Sequence, residues 1–382
     1  MPRALNIVTL YAAGILQGAA FVLVPALGKI LADAPYHYSA QMYGMLYFPE
    51  IGGAILGALA AGRLQRQAGS AAVLRIGLIV NALGMALLAL ASYTQGTLAY
   101  AALLLETLCL GVGFGLTLAT LNPYAALLFA HTPTTALTLL NGLIGAATAL
   151  TPLALQAIAR QGHWGLLPLM LMGGFMVLAW ARMPPLSNGD AERTQIAMLP
   201  FALAVLVYAI TEGSFSSWAQ LYVGHAQAAS ASSAAWALTA FWVGMTALRL
   251  LLGWVPEQSR ARPVLFVVSA LGIGASFALL AWLTTANAMV AGYAAAGVAC
   301  SIYYPYVMGY GLKRWPQQPV SLAGLLIAAL MVGEGIGSLA PGGLQTLLPL
   351  SQLYLLLTLL ALPLAYWALM LPRHITAQEV SN

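Results

Sequence analysis

Apolar stretches of about twenty residues or more follow one another along this chain, with only short polar breaks between them. A helix needs about 20 apolar residues to cross the hydrocarbon core of a bilayer, and in lipid each backbone polar group must be satisfied within its own segment. Breaks at charges, at Pro/Gly/Ser clusters and at polar residues divide the sequence into twelve spans. They lie near 5–31, 40–62, 71–92, 97–121, 134–159, 163–182, 197–223, 233–255, 263–284, 287–311, 320–347 and 350–371. Pro25, Pro152 and Pro341 permit kinks in the longer ones. Composition removes the soluble alternative: 61% of residues are hydrophobic and 6% charged, where a soluble domain carries about 25% charged. The expected fold is an all-α polytopic membrane protein whose outer surface faces lipid.

The first stretch, from about Ala4 to Leu31, is too long for a signal-peptide core and lacks a small-residue cleavage site, so it reads as a retained span. Cys109 and Cys300 fall in apolar segments of different halves, which argues against a disulfide framework or a cysteine metal site. The net charge of +5 reflects orientation rather than a nucleic-acid partner. With the N-terminus inside, eleven basic residues fall on internal positions: Arg3, Arg63, Arg66, Arg75, Arg182, Arg193, Arg260, Arg262, Lys313, Arg314 and Arg373. Lys29 and Arg160 are the two external ones, and Arg249 lies within a span. This positive-inside asymmetry places both termini in the cytoplasm of a multi-pass protein, expected in the plasma (bacterial inner) membrane.

One sizeable polar stretch, Met183 to Gln195, divides the chain. It defines an N-terminal six-helix bundle (1–182), a cytoplasmic linker (183–195) and a C-terminal six-helix bundle (196–382). The halves echo each other. Gly115-x7-Pro123-Tyr124 in span four matches Gly297-x7-Pro305-Tyr306 in span ten, and Pro152-x3-Gln156 in span five matches Pro341-x3-Gln345 in span eleven. Gly53-x8-Gly62 in span two matches Gly244-x8-Gly253 in span eight, and Gln17-Gly18 in span one stands where span seven has Glu212-Gly213. Such a repeat implies two pseudo-symmetric bundles, a site between them near the midplane, and alternating access by rocking.

These residues resemble the major facilitator superfamily over the whole chain. The family's loop between spans two and three reads Gly-x3-Asp-Arg-x-Gly-Arg; here 62–69 keeps both glycines but has Arg66 in place of the acid. In the second half Gly253 to Glu257 keeps an acid and loses the second glycine. Within the superfamily the chain looks most like fucose-permease-like and sugar-type members. Asn122-Pro123-Tyr124 is similar to their Asn-Pro-aromatic at the end of span four. The run from Glu212-Gly213 to Trp218, and Phe241-Trp242-Val243-Gly244 with Arg249, are similar to patterns in spans seven and eight. Fucose-type members carry acids where Leu118 and Phe21 stand here, so a sugar–proton mechanism is not carried over residue by residue.

Glu50, Glu106, Glu212, Glu334 and Arg249 lie within spans. An ionised side chain at a helix centre costs roughly 2.5–3.5 kcal/mol on the insertion scale, so each has to be paired, protonated or facing a wet cavity. Glu212 is the leading candidate for substrate or proton handling, with Gln17 its counterpart by repeat symmetry. Glu334 stands where the first half has Gly145, and it serves either function or helix pairing. Glu50, after Pro49, serves either function or contact between helices, and Glu106 reads as structural. Arg249 either anchors a substrate carboxylate or pairs with a glutamate, and the pairing is favoured because it assumes no ligand. Asn122, Tyr124, Asn141, Gln156, Trp218, Tyr304, Tyr306 and Gln345 complete the candidate set, with Gln220 and Tyr303 nearby in sequence. Amides and hydroxyls mixed with aromatic faces suit a polyol, and aromatics with acids also suit an organic cation; singly, each reads equally as a bond between helices or an interface anchor.

The expected function is secondary active transport of a small neutral or zwitterionic solute, coupled to protons. Efflux of lipophilic cations or drugs is the alternative. Metal transport, suggested by Met42, Met45, Met170, Met172 and Met176, and a non-transporting scaffold rank lower. Enzyme signatures such as His-Glu-x2-His, Gly-x-Ser-x-Gly and a lysine-bearing phosphate loop do not occur. The partners expected are the solute, protons and the bilayer, for a monomer with no cofactor, no metal and no nucleic acid.

Overall fold

The computed structural model describes residues 3–159, 162–187, 195–224, 226, 231–254, 263–344 and 347–379. Among them the regular structure is helical. Among the described residues ten helices are long and apolar enough to cross a bilayer: Arg3–Ala26, Met42–Ala68, Ser70–Ser92, Gly96–Leu128, Pro133–Ala159, Ile196–Gly224, Val264–Trp282, Ala286–Arg314, Pro319–Pro341 and Leu350–Pro372. Two shorter apolar helices, Leu166–Ala179 and Trp236–Leu252, complete the twelve expected spans. Large apolar side chains such as Leu56, Leu153, Val177 and Leu362 are more than 60% exposed. Lipid, rather than water, accommodates a surface of that kind.

Spans four and ten differ from their sequence-based limits in opposite ways. Span four continues as one helix of 33 residues, Gly96–Leu128, straight through Pro123. Proline removes one helical bond, and side chains bond the carbonyls around it: Thr120 donates to the Leu116 and Thr117 oxygens, and the Asn122 amide to the Leu118 oxygen at 2.9 Å. Span ten breaks into Ala286–Cys300 and Tyr303–Arg314.

The chain packs as two compact units, each containing a piece of chain from the other sequence half. The first comprises Met1–Leu128, Ala146–Asp190 and Gln317–Ala328; the second comprises Phe129–Gly145, Ala191–Pro316 and Ala329–Asn382. In the first unit the start of span eleven lies on span two: a Cβ at Gly62 would fall on Ser321, and one at Gly324 on the Ala58 carbonyl. In the second, the start of span five lies on spans eight and ten, with Gly145 against Thr246, Gly142 against Arg249 and Leu250, and Gly309 against Thr134.

The internal repeat appears as one packing motif used in both units. In the first, Gly53 lies on the Leu108 carbonyl, and Gly111 on the Glu50 carbonyl and the Ala54 nitrogen. In the second, Gly244 lies on the Ala294 carbonyl, and Gly297 on the Phe241 carbonyl and the Met245 nitrogen. The spacings agree residue for residue along both helices. Gly57 and Gly115 repeat these contacts one turn along, Gly57 on the Val112 carbonyl and Gly115 on the Ala54 carbonyl and the Ala58 nitrogen, so Gly111 and Gly115 both match the contacts of Gly297. Gly115 precedes Pro123 by eight residues, as Gly297 precedes Pro305.

Candidate functional site

The break in span ten leaves a helix C-terminus inside the second unit. The last carbonyls of any helix lack intrahelical donors, and Pro305 lacks the N–H that would otherwise reach the Ser301 oxygen. Three spans supply side chains instead. Ser269 of span nine donates to the Ala299 carbonyl at 2.6 Å, Tyr208 of span seven to Cys300 at 2.9 Å, and Arg249 of span eight, through Nε, to Ser301 at 2.8 Å. The Tyr303 ring stacks on Tyr208, with centroids 5.3 Å apart and planes within 7°.

Glu212 belongs to this cluster. It follows Tyr208 by one helical turn, so both point to one face of span seven. Tyr208 is fully buried, Glu212 is 6% exposed and Arg249 is 7% exposed. The Glu212 side chain lies near the Tyr208 hydroxyl and within the field of the Arg249 guanidinium. Gly213, the next residue, lies 2.6 Å (as a Cβ) from the Glu334 carbonyl, so spans seven and eleven meet closely there. Along the same seam Ser217 and Ser338 share a hydrogen bond of 2.6 Å, and the Trp218 indole donates to the Ser338 carbonyl at 3.1 Å. Glu334 is part-exposed. The structure thus brings together Glu212, Arg249, Trp218 and the backbone of Glu334.

A second polar cluster occupies the first unit. Asn81 of span three donates to the Gln17 carbonyl oxygen at 2.7 Å and to Thr117 of span four at 3.2 Å, all three side chains being fully buried. Gln17 Nε2 and Asn81 Oδ1 have no partner among the described residues. Glu50 is 4% exposed; Glu106 is fully buried, neither of its oxygens has a partner, and the two carboxyl groups are near enough to interact.

The remaining candidates are dispersed. Asn122 and Asn141 donate to carbonyls of their own helices, Leu118 and Leu137, and Asn122 Oδ1 is buried without a partner. Tyr124 donates to Ser70 at 3.2 Å. Gln156 borders a cavity of about 540 Å³ between spans one and five, with Ala26, Ile30 and Pro152. Tyr304 is buried, and Tyr306 packs with Phe266 and Tyr310. Gln345 and residues 188–194 of the linker lie outside the described residues. Sequence reasoning missed Tyr208, Asn81 and the capping role of Ser269. A signal existed for two of them: Tyr208 is four residues before an intramembrane acid, and Asn81 stands alone in an apolar span.

No protein-family model matches the sequence, and no curated protein matches it. Solved structures do. The E. coli fucose:proton symporter FucP matches at 18% identity and a TM-score of 0.78, over 97% of this chain and 98% of that one. FucP in an outward conformation matches at 17% and 0.80, over the same shares. The human organic anion transporter MFSD10 matches at 14% and 0.76, over 96% of this chain and 100% of that one. The proton:xylose symporter XylE matches at 13% and 0.76, over 96% and 94%. From end to end, the chain has the fold of the major facilitator superfamily of transporters.

Proposed function

We propose that this protein is a secondary active transporter that moves a small polar solute, neutral or zwitterionic, by alternating access coupled to protons, and that Glu212 is the acid handling proton or solute. The observation carrying this reading is the environment of Glu212. Glu212 is 6% exposed and lies beside the Tyr208 hydroxyl, which donates to the Cys300 carbonyl. Arg249 suits the carboxylate. A buried acid beside one hydroxyl and one guanidinium can be held in either protonation state, as a group that gains and loses a proton requires.

The fold supports the transport class, and two of the similar structures are proton symporters by name. Arg249 beside Glu212 weighs against efflux of lipophilic cations, which would meet its positive charge. In this reading the halves 1–182 and 196–382 are the moving bodies of a monomer, 183–195 joins them, and both termini are cytoplasmic.

The test is thermal stability of purified protein against sugars, amino acids, carboxylates, organic cations and metals, followed by flux in proteoliposomes. A ligand of the folded state raises the apparent stability. Stabilisation by one polar class, lost in Glu212→Gln, supports the assignment. Wild-type proton-coupled flux in folded Glu212→Gln sinks it, and stabilisation by organic cations alone favours the efflux reading.

A further inference from the structure

The polar linker begins by packing down onto the first unit. Met183 and Leu186 are 8% and 7% exposed. The Leu186 N–H donates to Ser70 Oγ at 2.9 Å, and the Tyr124 hydroxyl donates to the same oxygen at 3.2 Å. Gln65 Nε2, at the end of span two, donates to the Ser187 carbonyl at 2.9 Å. The Ser187 hydroxyl then donates to Gln317 Oε1 at 2.6 Å, just ahead of span eleven. Beyond Gln317, span eleven starts against span two, with Ser321 on Gly62 and Gly324 on the Ala58 carbonyl. One short segment thus ties the ends of spans two, three and four to the approach of span eleven.

We propose that residues 183–187 form a neutral hydrogen-bonded strap that holds the start of span eleven on spans two and four. Its links are amides, hydroxyls and backbone groups. The adjoining stretch 62–69 carries Arg63 and Arg66 and no acid, so it holds no opposite charge to pair with them. Ser70 is the pivot: buried at 2% exposure, it accepts from both the linker and span four. Losing it strands two donors, whereas losing the exposed Ser187 hydroxyl removes one bond. The positive-inside asymmetry puts the strap on the cytoplasmic side, where it opposes separation of span eleven from span two. What the strap regulates rests on the transport reading; its existence does not.

The test needs no substrate, which keeps its failure separate from failure of the transport reading. Ser321→Cys, in a background with Cys109 and Cys300 replaced, reports separation of span eleven from Gly62 through its rate of labelling by a water-soluble maleimide. Ser70→Ala is expected to speed labelling about tenfold, and Ser187→Ala or Gln317→Ala about threefold. Ser70→Thr, which keeps the hydroxyl, stays near the parent rate. Combining Ser187→Ala with Gln317→Ala adds nothing to either alone, because both remove one bond. Rates are the same in low and high salt, as links without charge require. Should Ser70→Ala fail to fold, the two exposed positions carry the test. Unchanged labelling in the folded variants, or marked acceleration by salt in the parent, overturns the proposal.

Discussion

Arg249 donates its Nε–H to the Ser301 carbonyl at 2.8 Å, across from span eight to the broken end of the first helix of span ten. The bond gives one residue two tasks. It caps a carbonyl that Pro305 leaves without a helical donor, and it holds a positive charge whose field reaches Glu212.

Arg249→Ala is therefore expected to destabilise the protein by about 1–3 kcal/mol, the range for leaving a buried carbonyl without its donor. Arg249→Met in a Glu212→Gln background costs less than the sum of the two changes, because the uncompensated charge is gone. Thermal unfolding of purified variants measures both. Strict additivity would show that the two residues are not coupled.

Tyr208→Phe removes one cap and keeps the ring that stacks on Tyr303. Hydrogen bonds between membrane helices are worth about 0.6 kcal/mol on average and about 1.7 at most, so the stability loss is small. The larger expected effect is functional: a changed pH profile of proton-coupled flux, since the hydroxyl beside Glu212 is gone. An unaltered profile would remove Tyr208 from the proposed site.

Gly111→Ala and Gly297→Ala place a methyl on the Glu50 and Phe241 carbonyls. Backbone cannot yield as a flexible side chain can, so each costs about 1–3 kcal/mol or more, and the two costs are similar. Gly335→Ala, with open space around its Cβ position, leaves the melting temperature unchanged or raised. Gly115 offers no such control, since its Cβ would meet the Ala54 carbonyl.

Glu106 has two buried oxygens with no partner. Replacing an unsatisfied polar group by an apolar one of similar shape is neutral or stabilising, so Glu106→Met is expected to melt at or above the parent temperature. Retained stability with lost flux would give Glu106 a functional role that its sequence position did not suggest. A clear drop in melting temperature would mean that the carboxyl group is structurally required.

Much of this architecture is local information. Span number follows from hydropathy because lipid leaves a backbone no unpaired alternative to the helix, and the structure has the twelve helices that the apolar stretches require. The glycine echoes were visible for the same reason: close helix contact demands small residues, and Gly53, Gly244 and Gly297 do sit on carbonyls of neighbouring helices. The resemblance to fucose-type transporters rested on similar local runs around Pro123, Glu212 and Trp242.

Register and partnership were not local. Proline alignment paired Gly115 with Gly297, and only the contacts with span two show that Gly111, one turn earlier, makes the same close approach. Sequence could not say that span four would pass through Pro123 while span ten would break ahead of Pro305. That outcome depends on which neighbours supply donors: Thr120 and Asn122 from within span four, but Ser269, Tyr208 and Arg249 from three other spans at the end of Ala286–Cys300. Membrane insertion is decided residue by residue along one helix, so sequence alone determined it. Which buried polar group answers which carbonyl is a property of helices side by side, and only the tertiary structure decided it.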